Sequence, residues 1–154
     1  MVHYARRIVA PVPLEDAFAY LSRFSSAAEW DPSVRAARML TSEPVRRGSV
    51  FALDVVFMAH TVPLEYEIIE LDPPERVVLA AENASARSTD EIRFTSEPSG
   101  ATAIEYSATL DLKGIARLAT PIFALVLRRI GERAAVGLQE ALTARAIEAP
   151  GQPT

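Results

Sequence analysis

Two residues of this chain combine the chemistry and the sidedness that acid–base work requires, His60 and Asp90. A histidine titrates near neutrality and can move protons there, and a carboxylate beside it fixes its tautomer. His60 opens a run in which Val62, Leu64, Tyr66 and Ile68 alternate with Glu65 and Glu67, so strand parity turns it toward the apolar side. Asp90 stands two and four residues before Ile92 and Phe94, with Glu91 and Arg93 between, and is the one carboxylate that parity turns inward. Paired, they would serve as a general acid or base with its orienting partner. Each also has an ordinary explanation, since a histidine at a strand start is often exposed and an aspartate can tie down a loop. Tyr66 and Tyr106 share the inward side and would hydrogen-bond either a ligand or a backbone group.

Other chemistries are absent from the sequence. There is no cysteine, and only His3 and His60, so thiolate and multi-histidine metal sites are excluded and no metal is expected. No glycine-rich phosphate loop or nucleophile elbow occurs, and no cofactor is expected. A net charge of −4 over 154 residues argues against nucleic acid as a partner. The longest apolar run, Leu118–Leu127, is too short to span a bilayer, so no stable membrane insertion is expected. The N-terminus lacks the apolar segment of a signal peptide, which leaves a cytoplasmic location by default.

The elements that would position these residues are legible in the punctuation. Residues 3–10 read as a strand ended by Pro11 and Pro13; Leu14, Ala17, Phe18 and Leu21 then recur at helical spacing. Ser26 with Glu29 matches a capping box for a second short helix that stops at Asp31-Pro32. Six further strands follow over 34–41, 49–58, 60–71, 76–82, 87–96 and 101–111; a bulge at Ile68-Ile69 would change the register beyond it. A long helix over about 115–147 closes the chain. From Phe123 its apolar stripe runs through Leu127, Ile130, Ala134, Gly137 with Leu138, and Ala141, shrinking as it goes. Small residues there either let backbone approach or leave a hole. Thr120 either caps a helix beginning at Pro121, or Pro121 kinks a longer one.

Parity supplies apolar walls for a ligand site: Phe51, Leu53, Val55, Phe57, Leu64, Tyr66, Phe94, Ile104 and Tyr106 from the strands, with Ala134, Gly137 and Ala141 from the helix. Ser88 and Thr102 join them as polar members. The same residues could instead fill a solid core, and Trp30 reads as a core plug before it reads as a ligand stacker. The apolar surplus of 118–127 needs cover, from the short helices and neighbouring loops, from a second copy in a homodimer, or transiently from a membrane.

The pieces Ala10-Pro11 through Leu21, Glu29-Trp30-Asp31-Pro32, Arg47-Gly48-Ser49, Leu71-Asp72-Pro73-Pro74-Glu75-Arg76 and Gly114 to Arg129 resemble the polyketide cyclase/dehydrase and lipid-transport proteins of the START-like, helix-grip superfamily (SRPBCC). The resemblance implies an α+β fold: a seven-stranded curved antiparallel sheet wrapped around the long C-terminal helix, with two short helices between strands 1 and 2. The resemblance covers about residues 4–147, so a single START-like domain is expected over 1–149, ahead of a tail at 150–154 that reads as loose from the sequence. It also implies a cavity for a small hydrophobic ligand such as a lipid or polyketide, to be sequestered or transported. The alternatives are a polyketide cyclase or dehydratase using His60 and Asp90, and a dimeric interaction module without ligand.

Overall fold

Alternation of apolar and charged side chains along seven segments gives each strand one face to bury, and the strands assemble into one antiparallel sheet. The computed structural model describes residues 1–148, so the tail from residue 150 lies outside the described residues. The chain runs β1 (Val2–Ala10), α1 (Leu14–Ser22), a 3-10 turn (Phe24–Ser26), α2 (Ala27–Trp30), β2 (Val34–Met39), β3 (Val50–Phe57), β4 (His60–Asp72), β5 (Arg76–Glu82), β6 (Ala86–Ser96) and β7 (Thr102–Leu112). A second 3-10 turn (Gly114–Ala119) leads into α3 (Thr120–Glu148). The strand order is β1-β7-β6-β5-β4-β3-β2, so the sequence neighbours β2 to β7 form a meander and β1 closes on β7. The register of β4 on β5 slips between Ile68 and Glu70, where the two successive isoleucines allow a bulge. The architecture is the curled half-barrel gripping a long C-terminal helix that the resemblance implies.

Two local expectations are corrected. Ser26 does not cap α2: it has helical angles of its own (φ −60°, ψ −20°), because the preceding 3-10 turn runs straight into the helix. Its hydroxyl instead accepts the Trp30 indole N–H at 3.2 Å, and Glu29 accepts the Tyr20 hydroxyl at 3.2 Å. Likewise Thr120 is already helical, and its hydroxyl donates to the Arg117 carbonyl at 2.6 Å. Pro121 therefore falls in the first turn of α3, where its missing N–H breaks no bond.

The core divides along the strands. Phe18 and Leu21 of α1 cover one end of the inner face, where Phe18 meets Phe94 edge-on at 5.3 Å between centroids. Phe51, Ile92, Phe94 and Ile104 are buried there. At this end α3 is pinned by Leu138 and Leu142, and by Gly137, where an added Cβ would lie 1.9 Å from the backbone oxygen of Trp30. A second close approach is Gly131, whose missing Cβ makes room for the ring of Tyr4.

Gly137→Ala adds helix propensity of about 1 kcal/mol, but it drives a methyl into a backbone carbonyl that cannot rotate away. We expect a net loss of about 1–3 kcal/mol in urea denaturation. Unchanged or increased stability would show that α2 and α3 separate freely.

Candidate functional site

Beyond the end covered by α1, nothing fills the space between sheet and helix. A cavity of about 430 Å³ remains, within the range of small-molecule sites. It lies under the first two-thirds of α3, which contributes Phe123, Leu127, Ile130, Gly131, Ala134, Ala135 and Leu138. The sheet contributes Leu53, Val55 and Phe57 from β3; Val62, Leu64 and Tyr66 from β4; Ala86, Ser88 and Asp90 from β6; and Tyr106, Ala108 and Leu110 from β7. Phe57 stacks on Phe123 at 5.0 Å and closes the far end.

Of the residues expected from sequence, Leu53, Val55, Phe57, Leu64, Tyr66, Tyr106 and Ala134 come together in the lining. Phe51, Phe94 and Ile104 lie on the same inner face but in the solid end beneath α1. Gly137 packs on Trp30, and Ala141 packs against the core. Parity gives the side of a residue, but not its position along the strand, and α1 decides that. Thr102 is buried but donates to the Val12 carbonyl at 2.7 Å. Trp30 unites both of its readings: it is 4% exposed and also walls the cavity.

His60 is not brought to Asp90. Asp90 pairs with Leu79, and Leu79 with Ile68, so Asp90 stands level with Ile68, eight residues along β4 from His60. That is roughly 26 Å of strand. His60 is exposed beside the two-residue turn Met58-Ala59 and is not part of the lining.

Asp90 instead heads a buried polar relay. The Tyr106 hydroxyl donates to its Oδ2. The Tyr66 hydroxyl donates to Ser88 Oγ at 3.2 Å, and Ser88 Oγ donates to Asp90 Oδ1 at 3.4 Å. Burial raises the Asp90 pKa to about 6 against the opposing effect of the Tyr106 bond, and the charge of Asp31 adds to the rise. Burial also raises both tyrosines. Asp31 is the acidic residue that sequence reading missed. It looked like part of a turn, and it does form one, accepting the Ser33 N–H at 2.9 Å and hydroxyl at 2.7 Å through Oδ1. It also lines the cavity, and burial raises its pKa. Tyr4, equally unforeseen, brings a buried hydroxyl with no hydrogen-bond partner among the described residues.

Arranged in this way, the site can hold an apolar body between sheet and helix and meet a polar group at the Asp90 end. Among the described residues no three His, Cys, Asp or Glu side chains are grouped to hold a metal ion.

The model of the family described as polyketide cyclase / dehydrase and lipid transport matches residues 1–143. A search of curated proteins finds no match. The chain is similar in structure to a START superfamily protein from Mycobacterium smegmatis, at 12% identity and a TM-score of 0.76, covering 91% of this chain and 96% of that one. It is similar to the Zhui aromatase/cyclase of a Streptomyces species at 16% identity and a TM-score of 0.75, covering 98% of each chain. A further similarity is to the di-domain ARO/CYC StfQ of the steffimycin biosynthetic pathway, at 20% identity and a TM-score of 0.69. It covers 98% of this chain and 52% of that one. At these identities the likeness is one of fold.

A folded-state pKa above the ordinary aspartate value means that the fold favours protonated Asp90. Its contribution to stability is full below about pH 4 and is lost as pH rises through about 6. Asp90→Asn stays neutral and can still accept the Tyr106 hydroxyl. Above neutrality we expect it to exceed the wild type by about 1–3 kcal/mol, with the gap closing in acid, by urea denaturation across pH. A gap independent of pH would mean that Asp90 is not held in a desolvating site.

Proposed function

The chain belongs to the polyketide cyclase/dehydrase and lipid transport family, and we propose that it is a carrier that holds one small hydrophobic ligand between its sheet and α3. Family and fold indicate a START-like domain that binds hydrophobic ligands. The finer reading, sequestration or transport rather than turnover, rests on the cavity of about 430 Å³, walled mainly by aliphatic and aromatic side chains. Burial of a ligand's apolar surface against such walls is worth about 25 cal/mol per Å² before the costs of association. Among the described residues no helix is long and apolar enough to cross a membrane.

A second reading, acid–base chemistry of the cyclase/dehydratase kind, is favoured by one observation: Asp90 stands at the cavity wall, raised to about 6 by burial, and accepts the Tyr106 hydroxyl there. In that reading Asp90 takes the role first assigned to a His60–Asp90 pair, and His60 has none.

Native mass spectrometry, compared with the denatured chain, tests the carrier. An added mass of a few hundred daltons, released on denaturation, is the expected result. Ala134→Trp, which fills the cavity from the helix side, should abolish the added mass with the far-UV circular dichroism unchanged, and His60→Ala should leave it intact. A bare chain, together with no rise in melting temperature across a lipid and polyketide panel, would overturn the carrier reading.

A further inference from the structure

The polar end of the cavity carries an imbalance of charge. Asp90 is 7% exposed and Asp31 is half-buried, and both face the same space. Neither forms an ion pair among the described residues. Among the described residues the one basic side chain in the lining, Arg6, is committed to Glu132 at 2.7 Å. Buried carboxylates ordinarily find a cation, because an unpaired charge in an apolar site is costly. The charge of Asp31 adds to the cost of ionising Asp90.

The surrounding rings have a matching character. Trp30 meets Tyr106 edge-on at 5.9 Å and Phe24 at 6.3 Å, and Phe24 meets Tyr66 at 5.1 Å. All four line the cavity beside the two acids. Aromatic rings attract cations through their negative faces, and an aromatic enclosure with carboxylates suits a substituted ammonium group. The hydroxyls of Tyr66 and Tyr106 are both spent as donors along the relay to Asp90, an arrangement that suits an ionised acceptor.

We infer that the ligand is a hydrophobic amine, whose protonated nitrogen sits at the end of the cavity formed by Asp90, Asp31 and the rings of Trp30, Phe24, Tyr66 and Tyr106. Its apolar body lies toward Leu127, Val55 and Phe57. This rests on the carrier reading above and narrows it. A fatty acid or phosphate would add a third anion where two already lack a cation, whereas an ammonium group cancels one of the two charges and can donate N–H bonds to both carboxylates. Asp90 and Asp31 thus select the class of ligand, and the apolar walls supply the bulk of the contact.

Decylamine, decanol and decanoate share one chain and differ in head group. Isothermal titration of the full chain near neutral pH is expected to rank decylamine at least about tenfold tighter than decanol, with decanoate weakest. Asp90→Asn should weaken decylamine about tenfold and leave decanol within about twofold. Asp31→Asn, whose amide oxygen keeps both hydrogen bonds from Ser33, should act in the same direction and serves if the first variant does not fold. Decanol matching decylamine, or decanoate binding best, overturns the amine and leaves the apolar carrier standing. If none of the three binds and native mass spectrometry shows only the bare chain, the carrier reading fails and the amine with it.

Discussion

The contact between Gly137 and the Trp30 carbonyl sets the height of α3 above the sheet. A helix can approach backbone this closely only where it has no side chain, so α3 is drawn down at one point and anchored there by Leu138 and Leu142. Toward its start the same stripe carries Ile130, Leu127 and Phe123, whose bulk holds the helix away from the strands. A rod pinned at one end and propped at the other leaves a wedge beneath it. The cavity is that wedge, closed at its wide end by Phe57 stacked on Phe123.

The taper of the stripe therefore carries both meanings that small residues can have. At Gly137 smallness means contact, and at Ala134 it means space. Sequence periodicity lists the two side by side and cannot separate them. What separates them is Trp30, brought under residue 137 by the short helices after β1. The strands were far more legible, because alternation states which side is buried and turn residues state where it stops. The bulge at Ile68–Glu70 was visible because two isoleucines in succession violate the alternation. The turn between β3 and β4 carried no such signal: Met58 and Ala59 both take positive φ, 50° and 67°, a conformation that ordinarily calls for Asn-Gly.

The candidate site was half legible for a related reason. Parity assigned Asp90, Ser88, Tyr66 and Tyr106 to one face, and they do meet, because antiparallel register brings neighbouring strands level. His60 satisfied the same parity and lies elsewhere, because facing inward says nothing of distance along the strand. Asp31 belongs to no strand at all. It reaches the cavity only through tertiary placement of α2, and its neighbours Trp30 and Pro32 had already accounted for its presence as a turn residue.

The cavity also determines how firmly each part of α3 is held. Between Leu112 and Leu138 no residue is fully buried, because the wedge lies on one side of the helix and water on the other. Ile115, Leu118, Ile122 and Leu125 face outward. Stability follows local burial, so this segment rests on the Phe57–Phe123 stack, on Tyr4 packed over Gly131 and on the Arg6–Glu132 pair, while the end near Leu142 shares the full core. An exposed ion pair adds little to such a balance. A ligand that restores apolar contact beneath Leu127 and Ile130 supplies the packing that the fold omits, and stabilises the helix most where the protein alone stabilises it least.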